Sequence, residues 1–381
     1  MKRSSIGFIV GIFALFHLPV LGCEFEQVRF ETNFSAARLN GCEQVSKHTY
    51  KLLIKPENHP INPSAWYAFK VTAKKAQQIQ VSLHYENGKH RYQPKVSSDG
   101  KQWQLLAHEV KDESAYFKLS VNQSPLWVAG QEIINEAYYD SWLNKFESNK
   151  NLKRYKLGQS KQKRDIWALE SRSDSNDWLI IIGRQHPPEV TGAMALFPFV
   201  ETLLADFSTA NLFRDNVNLL IVPLLNPDGV ENGHWRHNSS GVDLNRDWKG
   251  FEQPETILVR DKMKAIVAAG GKIEFALDFH STWKNLFYTM PEDYGLEAPK
   301  FSTTWLKTIA KTLPGFEVDM RPGSSPDKGV FKQYIADEYG VHSITYEVGD
   351  HADRNEIKTV AKTSALLLMK QMLADDKALK K

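Results

Sequence analysis

The chain has 381 residues, of which 42% are hydrophobic and 24% are charged, a composition typical of a globular protein and not of a disordered one. Its length suits two domains. The formal net charge of +3 is small for a chain of this size and gives no electrostatic reason to expect a nucleic acid as partner.

The amino terminus has the pattern of a signal peptide. Lys2 and Arg3 precede an apolar run over residues 6–21, and Gly22 offers a small residue at a cleavage position. The alternative is a membrane anchor, but the run is short for a span and contains Pro19. We therefore expect residues 1–22 to be a signal peptide and the mature chain to be exported, periplasmic or secreted. No later segment predicts an integral membrane span.

The only two cysteines, Cys23 and Cys42, come directly after this leader. An even number of cysteines in an exported chain favours one disulfide, which would tie down the new amino terminus. The alternative is lipidation of Cys23, because residues 20–23 look like a bacterial lipoprotein cleavage site. Lipidation would leave Cys42 as a lone thiol, so we favour the disulfide, with a lipid anchor as the second interpretation.

The next segment, residues 23–130, is predicted to form a small antiparallel β-sandwich domain. Turn signals at Asn87-Gly88 and Asp99-Gly100 separate short segments that are rich in β-branched and aromatic residues. The clearest of these segments are residues 50–54, 66–71 and 79–83. No cluster of catalytic residues occurs in this domain.

Residues 131–381 have a different pattern, in which longer helical periods alternate with short, continuously apolar runs. This alternation predicts an α/β domain. The predicted buried strands are residues 178–182, 217–222, 275–279 and 343–346. The predicted helices are residues 192–205, 255–269, 301–312 and 357–373. Polar residues follow each strand, at the edge where open α/β sheets bind ligands.

Three of these polar residues suggest a metal site. His186 and Glu189 lie three residues apart, directly after the first strand, and His280 ends the third strand. A strand-end histidine alone is more often a surface or hydrogen-bonded residue. Together, however, an imidazole pair and a carboxylate at one sheet edge are the three protein ligands that a catalytic zinc ion requires, with one position left for water. We expect one Zn²⁺ per chain.

The loop over residues 229–248 is unusually rich in Asn and Arg, although turn chemistry alone could explain part of this. The guanidinium of Arg246 and the amide of Asn245 match the needs of a clamp for a terminal carboxylate. Arg236 is separate from them and could stabilise the oxyanion that forms when water attacks a carbonyl.

Glu347 ends the fourth strand among apolar neighbours. Burial would raise its affinity for a proton, which suits a general base. Near a zinc ion, this carboxylate could take a proton from water and deliver it to a leaving amine. The alternative is a carboxylate that caps a neighbouring loop.

These residues together resemble the zinc metallocarboxypeptidases, and within them the cytosolic carboxypeptidases and their bacterial relatives. The resemblance rests on His186-Pro-Pro-Glu189, Asn226-Pro-Asp-Gly229, Gly241-Val-Asp-Leu-Asn-Arg-Asp-Trp248, His280-Ser281 and Glu347. It implies a mixed, twisted sheet flanked by helices, and the β-rich front half is also similar to the small domain that precedes the catalytic domain in this branch.

The resemblance also implies roles for two further sites. Asp243 should accept a hydrogen bond from His186 and fix the orientation of this ligand. Family members often place a tyrosine over the bound substrate, some twenty residues before the catalytic glutamate. The stretch from residue 321 to 332 contains no tyrosine, which leaves Tyr334 and Tyr339 as candidates.

The predicted function is hydrolysis of the C-terminal peptide bond of peptides or proteins. An alternative enzyme is an exported amidase or deacylase that acts on cell-wall peptides or N-acyl amino acids. A protein of another class, a catalytically inactive binding module with the same fold, is the third possibility. Arg321, Lys328 and Lys332 precede the last strand and either favour acidic terminal side chains or form a solvated surface.

Overall fold

The computed structural model describes residues 22–149 and 152–379, with side chains described up to residue 374. The predicted signal peptide lies outside this part of the chain, except for Gly22.

The front domain consists of eleven strands in two sheets. These are β1 (Gly22–Glu24), β2 (Val28–Glu31), β3 (Gly41–Ser46), β4 (Thr49–Ile54), β5 (Ala68–Ala73), β6 (Gln77–Tyr85), β7 (Lys95–Ser97), β8 (Gln104–Leu105), β9 (His108–Lys111), β10 (Ser114–Val121) and β11 (Leu126–Ala129). One sheet has the order β1-β2-β5-β11-β7-β8 and the other β3-β4-β6-β10-β9. The predicted antiparallel arrangement is confirmed, apart from β4 and β6, which pair in parallel.

Alternation of buried and exposed residues along the strands explains this sandwich. In β4, Tyr50, Leu52 and Ile54 are buried, because every second side chain points between the two sheets. Cys23 of β1 and Cys42 of β3 form a disulfide. Since β1 and β3 belong to different sheets, this bond joins the two sheets near the amino terminus.

The second domain is built on one sheet of eight strands. The elements are α1 (Glu136–Asn144), β12 (Leu152–Gln159), β13 (Asp165–Ser171), β14 (Asp177–Gly183), α2 (Val190–Leu203), α3 (Ser208–Asn216), β15 (Asn218–Val222), α4 (Pro227–Glu231), α5 (Pro254–Ala268), β16 (Lys272–Thr282), β17 (Leu286–Thr289), α6 (Phe301–Thr312), β18 (Met320–Pro322), α7 (Phe331–Tyr339), β19 (Ser343–Gly349) and α8 (Arg354–Leu379), with a 3₁₀ turn at Leu244–Arg246. The sheet order is β12-β13-β15-β14-β16-β19-β17-β18. The four central strands β15, β14, β16 and β19 are parallel to one another, and antiparallel pairs flank them, so the predicted mixed α/β sheet is confirmed.

Helices cover both faces of this sheet, which is why its central strands are apolar throughout. In β14, Leu179 and Ile181 join the core on one face, whereas Ile180 and Ile182 join the core on the other face. Helices α2, α3, α6 and α8 pack together on the first face, and α5 and α7 pack on the second.

In the part of the chain that the structure describes, no single helix is long and apolar enough to cross a membrane. Helices α2 and α3 satisfy that test only as a pair, with a bend of 89° between them.

Candidate metal centre and active-site cleft

The three predicted metal ligands meet at the carboxyl edge of the central strands. His186 and Glu189 lie in the turn between β14 and α2, and His280 lies near the end of the neighbouring parallel strand β16. The Nδ1 atom of His186 is 2.8 Å from Oε1 of Glu189, and Nδ1 of His280 is 2.7 Å from Oε2. One ligand atom from each residue lies within 4.8 Å of the other two, and all three residues are buried.

The outer ring nitrogens of both histidines are held by carboxylates. Nε2 of His186 donates to Asp243 at 2.9 Å, and Nε2 of His280 donates to Asp278 at 2.7 Å. With Nε2 as the donor to an ionised carboxylate, Nδ1 of each ring is the atom that would coordinate a metal ion at the shared point. This donor set fits a zinc ion.

Charge supports the same conclusion. Burial would raise the pKa of Glu189, but the adjacent His186 and His280 hold its pKa well below the usual range. Burial would also raise the pKa of Asp243. The nearby His186 and Arg236 lower this pKa by more, so it lies far below the usual value. Both carboxylates therefore stay ionised, as a ligand and its hydrogen-bond acceptor must.

The main chain around the ligands is fixed by side chains of the same sheet edge. The Nε atom of Arg184 donates to the carbonyl of Pro187 at 2.8 Å, and Asn226 donates to the carbonyl of Gln185 at 2.9 Å. The hydroxyl of Ser281 accepts from the amide of Gly192 at 2.7 Å. The first two bonds hold the turn that carries His186 and Glu189, and the third joins the first turn of α2 to strand β16.

Glu347 lies beside the three ligands because β19 pairs in parallel with β16, with Glu347 opposite His280. Its Oε2 atom is buried and has no hydrogen-bond partner among the described residues. Burial and the negative charge of Glu189 raise the pKa of Glu347 to about 7.

The two residues that were predicted to bind a carboxylate line the same cleft. Asn245 accepts a hydrogen bond from the amide of Phe331 at 2.9 Å, which orients its NH₂ group away from that amide. Arg246 is half-exposed and lines the cleft with Asn245. Arg236 also lines it, and its Nε donates to Asp243 at 2.7 Å.

This cleft has a volume of about 500 Å³ and contains every predicted ligand and catalytic residue. Its lining includes the basic residues Arg321, Lys328 and Lys332 of the catalytic domain. It also includes Asn62, Ser64 and Arg91 of the front domain, so both domains form its walls.

Comparisons with known proteins identify the family. The sequence model of the zinc carboxypeptidases matches residues 139–367, which is more than half of the chain. The chain belongs to this family. The model of the cytosolic carboxypeptidase N-terminal domain matches residues 30–130, which corresponds to the front domain. Zinc carboxypeptidases are hydrolases that use one zinc ion, and the cluster of His186, Glu189 and His280 is the set of residues that would hold it here.

Similar proteins come from both bacteria and animals. An uncharacterized protein of Zymomonas mobilis is 24% identical over 349 residues, which cover 85% of this chain and 89% of that protein. Cytosolic carboxypeptidase 6 of Mus musculus is 27% identical over 251 residues, or 58% of this chain. The match spans only 46% of the length of the mouse protein.

Solved structures share the fold over both domains. A metallo-carboxypeptidase from Burkholderia cenocepacia superposes with a TM-score of 0.78 at 19% identity, covering 92% of this chain and 99% of that one. A metallo-carboxypeptidase from Pseudomonas aeruginosa gives a TM-score of 0.74 at 21% identity, covering 91% and 99%.

The expectation about a tyrosine over the substrate of this zinc carboxypeptidase needs correction. Tyr334 and Tyr339 do not reach the cleft: Tyr334 is 9% exposed, and it packs on Trp248 in the core of the second face. The tyrosine that lines the cleft, among the described residues, is Tyr288 of β17. Tyr288 pairs with Thr345 of β19, and it is 42% exposed.

Sequence reasoning also missed Asp278, the carboxylate that orients His280. A signal was available, because Asp278 is an acidic residue within an apolar strand, two positions before His280 and therefore on the same side of β16. Gln185 supports it by donating to the same oxygen at 2.6 Å.

Proposed function

We propose that this zinc carboxypeptidase removes the C-terminal residue from peptides or proteins, with Glu347 as general base. The observation that carries the proposal is one cleft that is lined by Glu347, by the neighbouring His-Glu-His cluster and by the pair Asn245 and Arg246. His186, Glu189 and His280 would hold a zinc ion, which would supply polarisation of the scissile carbonyl and a lower pKa for the attacking water.

The protein side chains then have distinct tasks. Asn245 and Arg246 bind the terminal carboxylate and so place the last peptide bond beside Glu347. Glu347 takes a proton from water and passes it to the leaving amine, work for which a pKa near 7 is suitable. The guanidinium of Arg236 stabilises the oxyanion of the tetrahedral intermediate.

Peptides with free and with amidated C-termini test this function. Hydrolysis should release the terminal residue from the free peptide and fall at least 100-fold on amidation, because the carboxylate clamp loses its partner. Equal rates on both peptides would instead favour the exported amidase. N-acyl amino acids and cell-wall peptides in the same assay separate the deacylase, whereas absence of bound zinc at neutral pH would favour the inactive binding module.

We propose a preference for acidic terminal residues, because Arg321, Lys328 and Lys332 are among the residues that line the cleft. Lys332 is buried, and its ammonium group donates to the carbonyl of Thr289 at 3.1 Å. Arg321 is exposed and paired with Asp319, so part of its charge is already neutralised. Comparing the release of Glu, Leu and Lys from one peptide series tests this preference, and faster release of Lys than of Glu would contradict it.

We also propose that the mature chain is exported. The leader pattern of residues 1–22 supports this location, and so does the disulfide between Cys23 and Cys42, because such bonds persist in oxidising compartments. The disulfide uses the sulfur atom that lipidation of Cys23 would modify. Mass analysis of the mature chain tests both points.

A further inference from the structure

A carboxylate of the front domain reaches into the catalytic domain at the segment that carries Arg236. Glu57 follows β4, and its side chain is only 5% exposed. One oxygen accepts a hydrogen bond from the main-chain amide of Trp235 at 2.7 Å. The other oxygen accepts from the amides of Arg236 at 2.9 Å and His237 at 2.7 Å.

Three successive amides that point at one anion form a concave anion site in the main chain. A buried carboxylate without such donors would be strongly disfavoured, and the three amides would in turn lose their acceptor. Burial by itself would raise the pKa of Glu57, but the hydrogen bonds from His237 and Trp235 and the nearby His234 hold its pKa below the usual value. Glu57 therefore remains ionised at neutral pH, and the three amides are fixed around it.

Other contacts between the domains hold the same segment. Asn58 contacts Nδ1 of His237 at 2.8 Å and donates to the carbonyl of Gly241 at 3.1 Å. The indole of Trp235 is fully buried, and it donates to the carbonyl of Trp66 at 3.1 Å. The segment is thus shaped by the front domain and not by the catalytic domain alone.

Arg236 is consequently held at both ends. Its main-chain amide is bonded to Glu57, and its guanidinium is bonded through Nε to Asp243, which also accepts from His186. A donor that stabilises a transition state must be held to within about 0.5 Å of its place, because a misplacement of about 1 Å can cost 100-fold in rate.

We propose that Glu57 is a positioning residue through which the front domain places Arg236 against the reacting carbonyl. The inference rests on the proposed function and on the role of Arg236 in it. It assigns to the front domain a part in catalysis that is separate from lining the cleft.

A double-mutant cycle with Glu57→Gln and Arg236→Ala tests this inference. The Gln side chain lacks the second anionic oxygen and places an NH₂ group against amide donors. We expect Glu57→Gln to lower kcat about 10- to 100-fold, with KM and zinc content within about 2-fold of wild type. In the Arg236→Ala background, the same substitution should change kcat by less than about 2-fold, because the group that it positions is absent.

Glu86→Gln is the matched control. Glu86 is also a front-domain carboxylate, but it is half-exposed and pairs with Lys55 on the surface. It should leave kcat unchanged in both backgrounds. If Glu57→Gln does not fold, Glu57→Asp replaces it in the double-mutant cycle, because this substitution keeps the charge and shortens the side chain by one methylene.

The outcomes separate the possible failures. An equal loss of kcat in both backgrounds means that Glu57 supports the fold generally, and this overturns the inference, as does an unchanged kcat. A wild-type chain without any activity on free peptides overturns the proposed function instead. Amide hydrogen exchange at residues 235–237 then decides the Glu57 interaction independently, since Glu57→Gln should raise these exchange rates, and unchanged rates overturn it.

Discussion

Glu347 combines two properties at the scale of a single residue: one carboxylate oxygen is buried and has no partner in the described part of the chain, and the pKa of the carboxyl group is raised to about 7. A group in this state can both accept and return a proton near neutral pH. Replacement by Gln keeps the shape of the side chain and removes this capacity. We expect Glu347→Gln to lower kcat by about 10²- to 10⁴-fold while the chain retains one zinc ion. Turnover and zinc stoichiometry measure the two effects, and normal turnover would refute the role of Glu347.

Asp278 is expected to act on the metal site through His280. Asp278→Asn weakens the acceptor for Nε2 of His280, so the ring loses basicity and orientation. We expect zinc affinity to fall about 10- to 100-fold, measured by competition with a chelator. Asp261→Asn is the control, because Asp261 is exposed and pairs with Arg260 on the surface. Unchanged affinity for Asp278→Asn would remove this carboxylate from the metal site.

At the same scale, the site residues that directly follow a strand could be predicted from the sequence. Some of the residues that hold those site residues in place could not. His186, Glu189, His280 and Glu347 could be placed together because parallel strands bring their carboxyl ends to one edge. Glu57 could not be found in this way. Its contacts with Arg236 span 179 positions of sequence, and its partners are main-chain amides, which leave no pattern in the sequence.

Among the elements, helix α2 and strand β16 approach each other closely beside the metal site. A Cβ atom on Gly192 of α2 would lie 2.5 Å from the carbonyl oxygen of His280. Alanine favours a helix over glycine by about 1 kcal/mol, but a main-chain atom cannot move aside as a flexible side chain can.

We therefore expect Gly192→Ala to lower the free energy of unfolding by about 1–3 kcal/mol, measured by denaturant titration. Zinc affinity should fall as well, because His280 must shift. Gly315→Ala is the control, since a Cβ atom there has no neighbour within 4 Å. A more stable Gly192→Ala variant would show that the two elements can separate without cost.

The predicted elements of the catalytic domain agree with the structure because their patterns were strong. The helix predicted for residues 301–312 matches α6, and the four apolar runs correspond to β14, β15, β16 and β19. Strands β12, β13, β17 and β18 were not predicted. They lie toward the sides of the sheet, where polar and apolar residues mix, as in β12 with half-buried and exposed side chains throughout. Buried strands are easier to recognise than strands that also face solvent.

At the scale of the whole molecule, the disulfide and the predicted signal peptide together lead to one prediction about the mature chain. We expect a chain that begins at Cys23, that carries no lipid and that becomes heavier by two hydrogens on reduction. Intact-mass spectrometry of the protein purified from its native compartment measures all three properties. A mass increase that corresponds to acyl chains on Cys23 would show a lipid anchor and contradict the disulfide.

The contact between Glu57 and residues 235–237 also bears on how the two domains can diverge among related proteins. The hydrogen bonds to Glu57 come from main-chain amides, so substitutions other than proline at positions 235 and 237 leave these donors in place. The front domain offers a side chain, and only a carboxylate of suitable length can accept from all three amides. Positions 235 and 237 should therefore vary more among relatives than position 57. A front domain exchanged between relatives should support activity only if it carries a carboxylate at the position of Glu57.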